Sequence, residues 1–326
     1  MQIIKHDINI DFVGKRKLAL IVSAVMILIG LASLVVNGGP NYGIDFVGGT
    51  LVQVKFAENT DAARIKDGLG SLELGSVVVQ RFGDDPNEFL IRVQESGEGK
   101  DLSGLISGSL ESVYGEGKVD IRRVEMVGPQ VGKDLRQKGL LSITYAMIGI
   151  LVYIAWRFEL RYAIGAIIAL LHDVLITLGA FSITGREIDL PIIAAFLAII
   201  GYSLNDTIIV YDRIRENYGK HQKLGFGEVV NRSINETLSR TILTSGTTLL
   251  VVLALFIFGG GVIHNFAFAM LVGILVGTYS SIFVASPLLI LCQDMRSGGQ
   301  KKTTTVQTIM PTSIAKAKLW ITPPPK

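Results

Sequence analysis

The chain has 326 residues, of which 49% are hydrophobic and only 18% charged, against about 25% charged in an average soluble domain. A water-soluble globule of that composition lacks the polar surface to cover itself, and a disordered chain needs the opposite balance, so membrane embedding is the default reading. The net charge of +3 is too small for a nucleic-acid footprint, and the single cysteine, Cys292, excludes an intrachain disulfide framework and a cysteine-based metal cluster.

Six stretches approach the about 20 apolar residues that cross hydrocarbon as a helix. The first, 18–36, carries no charge, exceeds a signal-peptide core and runs into Asn37-Gly38-Gly39, a poor cleavage site. Residues 1–36 are therefore expected to form a cytoplasmic N-terminus and an uncleaved anchor. Residues 37–138 read as a compact domain between the first two spans. Strands are predicted at 50–56, 77–82, 88–93 and 118–127, with helices at 60–72 and 101–114. Thr60 is the predicted N-cap of the first helix, and Asp85-Pro86-Asn87 signals a turn. The order β-α-β-β-α-β is the ferredoxin-like pattern, here a fold without an iron–sulfur site because the domain has no cysteine. It holds no nucleophile and base pair, so a binding surface is the expected role.

Residues 139–292 contain five more spans: 139–156, 163–183, 190–211, 241–258 and 266–292. Between the fourth and fifth, Arg213, Glu216 and Lys220 recur at helical spacing and predict an amphipathic helix at the headgroups. The polar, Lys-rich stretch 293–326 is expected to be a disordered cytoplasmic tail. One set of flanks carries 18 Lys and Arg residues, while the opposite short loops carry only Arg186. That bias places both termini in the cytoplasm and residues 37–138 outside.

Ionisable groups inside spans are costly and mark pathways, relays or internal pairs. Asp173 stands near the middle of the third span, beside His172; Asp206 stands in the fourth, about 9 Å from its cytoplasmic boundary; Arg240 stands at the start of the fifth. Burial pushes a carboxyl toward its neutral form and a nearby arginine pushes it back, so Asp206 with Arg240 is a candidate proton-coupling pair, and Asp173 a candidate second member. A static buried pair, or a carboxyl that only bonds neighbouring hydroxyls, is the plain alternative. Asn205, Thr207 and Thr244 are the candidate supporting polar groups. His172 and Asp173, being adjacent on a helix, are expected to point about 100° apart. His264 reads as a solvated loop residue, and Gly273 with Gly277 as a close helix-packing motif.

The motifs resemble a known family. Asn41-Tyr42-Gly43-Ile44-Asp45-Phe46-Val47-Gly48-Gly49-Thr50 resembles the GIDFxGGT signature of the SecD/SecF family, and Val127-Gly128-Pro129-Gln130-Val131-Gly132 its VGPxVG element. Gly201-Tyr202-Ser203-Leu204-Asn205-Asp206-Thr207 and Asp212-Arg213-Ile214-Arg215-Glu216-Asn217 are similar to the fourth-span signature of the SecF members, and His172-Asp173 fits their third span. The resemblance covers about residues 10 to 295. It implies an RND-type six-helix bundle with an extracytoplasmic ferredoxin-like α+β domain. It also implies a subunit of the bacterial Sec export machinery in the cytoplasmic (inner) membrane. Such a subunit pairs with SecD, associates with the SecYEG channel and promotes preprotein translocation with the proton-motive force. On this basis Asp206 and Arg240 carry over as the proton-coupling pair, Gly43, Asp45, Gly48, Gly49, Gly128 and Pro129 as motif residues, and no cofactor beyond protons, no metal and no enzymatic site is expected. Gly48-Gly49 permits a tight turn, rigid or hinge-like, where span meets domain.

Two rival functions fit the residues less well. A proton-driven RND-type small-molecule exporter usually carries two outer domains and about twelve spans in one chain. An intramembrane aspartyl protease needs a GxGD element, which the residues before Asp206 do not supply.

Overall fold

The computed structural model describes residues 9–293 except 73, 75–76, 84, 94–101 and 222. The predicted tail therefore lies, but for Gln293, outside the described residues, as do residues 1–8.

Helix α1 (Arg16–Val36) is almost wholly apolar and leads through a short turn, α2 (Ile44–Val47), into the domain. There β1 (Gly49–Phe56), α3 (Ala62–Leu69), β2 (Val77–Arg81), β3 (Glu88–Val93), α4 (Leu102–Tyr114) and β4 (Val119–Val127) follow in sequence. The sheet order is β2-β3-β1-β4, every pair antiparallel, which is the ferredoxin-like topology. Alternation in β1 buries Val52, Val54 and Phe56 on one face with Phe89, Ile91 and Val93 of β3. Against them pack Ile65 and Leu69 of α3 and Ile106, Leu110 and Tyr114 of α4, each large side chain contributing about 1.5–3 kcal/mol by leaving water. Thr60 does not cap α3. Asp61 does, accepting from the Arg64 N–H at 2.8 Å, because its carboxylate reaches the first turn while the Thr60 hydroxyl pairs with Tyr114 Oη at 2.6 Å.

The bundle adds α5 (Pro129–Arg157), α6 (Leu160–Thr184), α7 (Leu190–Lys220), α8 (Phe226–Phe258) and α9 (Gly260–Ser280), the last continuing through one π turn (Ser281–Ala285) to Gln293. Among the described residues, six helices are thus long and apolar enough to span a membrane. α6, α7 and α9 form the interior, whereas α1, α5 and α8 expose large apolar side chains such as Leu28, Val152 and Leu250, as lipid-facing helices do. Instead of a separate amphipathic helix between the fourth and fifth spans, α7 and α8 both run past the apolar stretch. Arg213–Glu216 and Lys220–Glu216 ion pairs at 2.7 and 2.6 Å support the extension of α7. Small residues set the helix spacing. Gly30 of α1 and Gly179 of α6 meet so closely that a Cβ on Gly30 would lie 2.8 Å from the Gly179 Cα. Gly273 and Gly277 of α9 likewise seat Ile199 and Ser203 of α7, the close packing their spacing suggests.

The domain is held to the bundle by a strap, residues 41–48. Gly43 N–H donates to the Ile188 carbonyl at 2.8 Å and Ile188 N–H to the Asn41 carbonyl at 2.7 Å, between α6 and α7. Asp45 accepts from the Leu190 N–H at 2.9 Å, so the strap caps α7 beside its own N-cap, Asp189. Gly48, at φ +83°, has no room for a Cβ because Pro129 Cα would stand 2.7 Å away. Gly128 caps α5 and Pro129 opens it, so the two glycine-containing motifs pack against each other. Above the strap, Arg92 of β3 forms an ion pair with Glu187, beside a cavity of about 540 Å³ between the sheet and the helix ends.

Candidate functional site

Two polar clusters occupy the interior of the bundle. The first centres on Asp173, which is fully buried. Its Oδ2 accepts from Ser203 Oγ of α7 at 2.5 Å and from Ser280 Oγ of α9 at 2.8 Å, and its Oδ1 lies 2.8 Å from His172 Nδ1. The expectation that His172 and Asp173 do not meet is therefore wrong. Their backbones do point apart, but the imidazole folds back far enough for its near nitrogen to reach the next carboxyl. His172 Nε2 lies 3.0 Å from Ser23 Oγ of α1, which contacts Tyr279 Oη of α9 at 3.2 Å, and Tyr279 donates to the Ala19 carbonyl at 2.7 Å. Helices α6, α7 and α9 thus meet at one carboxylate, and α1 joins the network through His172.

The second cluster centres on Asp206, 1% exposed. Ser245 Oγ of α8 donates to its Oδ2 at 3.2 Å, and Thr278 Oγ1 of α9 donates to Ser245 at 2.8 Å. Its other oxygen, Oδ1, is buried without a partner among the described residues, as is Thr241 Oγ1 one turn before Ser245. An unsatisfied buried carboxylate oxygen costs free energy unless a proton, a water or a cation reaches it. Arg240 is exposed on α8 and forms no ion pair with Asp206 among the described residues. This conformation therefore contains no static pair with Arg240, and the bond that Asp206 makes is the one to the neighbouring Ser245 hydroxyl. Of the supporting candidates, Thr207 is buried beside Asp206, Thr244 spends its hydroxyl on the Arg240 carbonyl of its own helix at 3.0 Å, and Asn205 is exposed.

Outside the spans, Asp189 is pushed up to about 6, chiefly by burial and further by Asp45 nearby, while its bond to Ile192 and the charge of Arg92 act the other way. Gly43, Asp45, Gly48, Gly49, Gly128 and Pro129 all gather at this strap rather than at the buried carboxylates. His264 is not solvated. It is half-buried, its ring 4.1 Å from that of Phe256 and its Nδ1 3.0 Å from the Phe256 carbonyl, because α9 begins early enough to hold it against α8. Sequence reasoning does not single out Ser203 and Ser280, which bond Asp173, or Ser23 and Tyr279, which contact His172. Their only trace in the sequence is a hydroxyl recurring on the inward face of otherwise apolar helices.

Comparison with known proteins gives consistent matches. The family described as Protein export membrane protein SecD/SecF, C-terminal, matches residues 107–295, and the SecD/SecF GG motif matches residues 33–59. The chain is 49% identical over 300 residues to the Protein translocase subunit SecF of Calditerrivibrio nitroreducens, covering 91% of this chain and 98% of that protein. It is 48% identical to that of Magnetococcus marinus, covering 93% and 97%. The crystal structure of SecDF, a translocon-associated membrane protein from Thermus thermophilus, superposes with a TM-score of 0.81 at 36% identity over 90% of this chain and 40% of that one. A second SecDF structure, in a super-membrane-facing form, gives 0.66 over 91% and 40%. The chain therefore spans about two fifths of the length of these solved chains.

Proposed function

Because the chain belongs to the SecD/SecF family of protein-export membrane proteins, we propose that it is the SecF-type subunit of a bacterial protein translocase. In this reading it promotes preprotein movement across the cytoplasmic membrane by using the proton-motive force. Its partners are a SecD-type chain, the SecYEG channel and the preprotein. The observation that carries the reading is Asp206, a carboxylate inside the membrane with one oxygen bonded to Ser245 and the other unpartnered. Such a group accepts a proton at little structural cost, and Arg240 competes for its anionic form whenever α7 and α8 shift. Asp173 serves the same path as a second carboxyl. No covalent chemistry and no cofactor enter; the chain moves protons and polypeptide.

The SecD partnership is supported by the solved SecDF chains, of which this chain matches 40% and leaves room for a second half. The exposed apolar faces of α1, α5 and α8 offer the contact area. The 18 flanking basic residues support an orientation with both termini in the cytoplasm and the domain outside. Asp206→Asn tests the coupling, since it keeps the size and the Ser245 contact while removing the titration. In membrane vesicles with the SecD partner and channel present, the variant loses the part of the export rate that an uncoupler abolishes in the parent protein. A parent-like rate in the presence of the gradient refutes the proposal.

A further inference from the structure

The hydrogen bonds around His172 account for every proton, and they admit two states. Tyr279 has one hydroxyl proton and spends it on the Ala19 carbonyl at 2.7 Å, which can only accept. In its 3.2 Å contact with Tyr279 Oη, Ser23 Oγ is therefore the donor. With its proton so placed, Ser23 accepts from His172 Nε2–H across 3.0 Å. A further proton must lie between His172 Nδ1 and Asp173 Oδ1, because a bare ring nitrogen 2.8 Å from a carboxylate oxygen is repulsive. In this state the His–Asp pair holds two protons and has no net charge.

The second state follows by three short moves. The Nε2 proton passes to Ser23 Oγ, the Ser23 proton passes to Tyr279 Oη, and the Tyr279 proton passes to a water molecule. One proton leaves in all. Ser23 then donates to the bare Nε2, and the remaining proton sits on Nδ1 facing an anionic Asp173. That anion is already provided for, since Ser203 and Ser280 donate to Oδ2 at 2.5 and 2.8 Å. When the pair is neutral, Ser280 has a second acceptor in the Gly277 carbonyl at 3.1 Å. Ser23, His172 and Asp173 are all buried, whereas Tyr279 is half-buried and is the least enclosed of the four.

We propose that Ser23, His172, Asp173 and Tyr279 form a second proton-holding station in the bundle, with Tyr279 as its outlet and the Ser23 hydroxyl as the switch between the two states. Its purpose rests on the proton-coupled reading of the chain, but its chemistry does not need it. The groups facing His172 are Ser23 from α1, Asp173 from α6 and Tyr279 from α9, with Ser203 from α7 and Ser280 from α9 behind Asp173. The nearest carboxyl along α7 is Asp206, one turn beyond Ser203. Because α1 runs directly into the strap, the state of Ser23 bears on the helix that carries the domain.

The test is nitrogen NMR of the full chain in lipid nanodiscs with 15N-labelled histidine, the His172 signals being assigned by their loss in His172→Gln. The parent protein shows two forms of His172, Nε2–H and Nδ1–H, whose ratio changes with pH. Tyr279→Phe keeps the ring but removes the acceptor that only the neutral state uses, so the Nε2–H form falls by roughly three- to tenfold at fixed pH, the worth of one hydrogen bond. Ser203→Ala removes a donor to the anion and shifts the ratio the other way by a similar factor. A single His172 form at every pH overturns the proposal, as does a ratio that neither variant moves or that both move in one direction. Parent-like export by Asp206→Asn would refute the coupling proposal and leave these signals untouched.

Discussion

Replacing Asp189 by asparagine separates the charge of the strap contact from its hydrogen bonds. Asp189 accepts from the Ile192 N–H at 3.2 Å and stands beside Asp45, which accepts from the Leu190 N–H at 2.9 Å. Burial, with Asp45 adding to it, pushes the carboxyl to about 6 from its ordinary 3.8. A carboxyl raised on folding favours the docked state fully below the unfolded value, progressively less between about 4 and 6, and not at all above the folded value. The gap is worth at most about 3 kcal/mol, and screening at this half-buried site reduces it to about 1–2 kcal/mol, roughly tenfold in a local opening equilibrium. Hydrogen exchange in nanodiscs, corrected for the intrinsic pH dependence of amide exchange, reads that opening. Protection of residues 41–48 and of the Leu190 and Ile192 amides falls as pH rises from about 5 to about 7.5. Asp189→Asn, which still caps the helix, removes the pH dependence and keeps the protection. Equal pH dependence in the variant, or none in the parent protein, refutes the reasoning.

Other perturbations bear on the rest of the fold. Gly179→Ala puts a methyl 2.7 Å from the Gly30 Cα and costs about 1–3 kcal/mol, seen as a drop of several degrees in thermal midpoint; Gly246→Ala, with nothing within 4 Å, leaves the midpoint in place. Arg92→Ala leaves Glu187 without its ion-pair partner, and a double-mutant cycle with Glu187→Ala, read by exchange of the strap, returns a coupling of about 1–3 kcal/mol. A topology reporter fused near Glu88 is active outside the cytoplasm and one near Lys223 inside; the reverse pattern overturns the orientation.

The spans were legible because a helix in hydrocarbon must be apolar on every side, and the sheet because Val52, Val54 and Phe56 alternate with polar neighbours. The continuation of α7 to Lys220 and of α8 back to Phe226 was not, since outside the membrane a helix is held by ion pairs and its composition resembles a loop. Asp173 and Asp206 were visible as charges in the wrong solvent. Their partners were not visible, because a serine in an apolar helix is unremarkable until the fold brings Ser23 to His172 across 149 positions of sequence. The glycine motifs were readable as turns, but only the packed structure shows Gly48 against Pro129 and Asp45 capping a helix that begins far along the chain.

That cap makes α7 a lever. Its 31 residues form a rod about 46 Å long, gripped at one end by the strap and carrying Asp206 about 25 Å along. A pivot of about 5° at the gripped end carries Asp206 sideways by about 2 Å, enough to make or break its contact with Ser245. A small swing of the domain and a change in hydrogen bonding deep in the membrane are thus two ends of one rigid displacement, with no chain of intermediate contacts required between them.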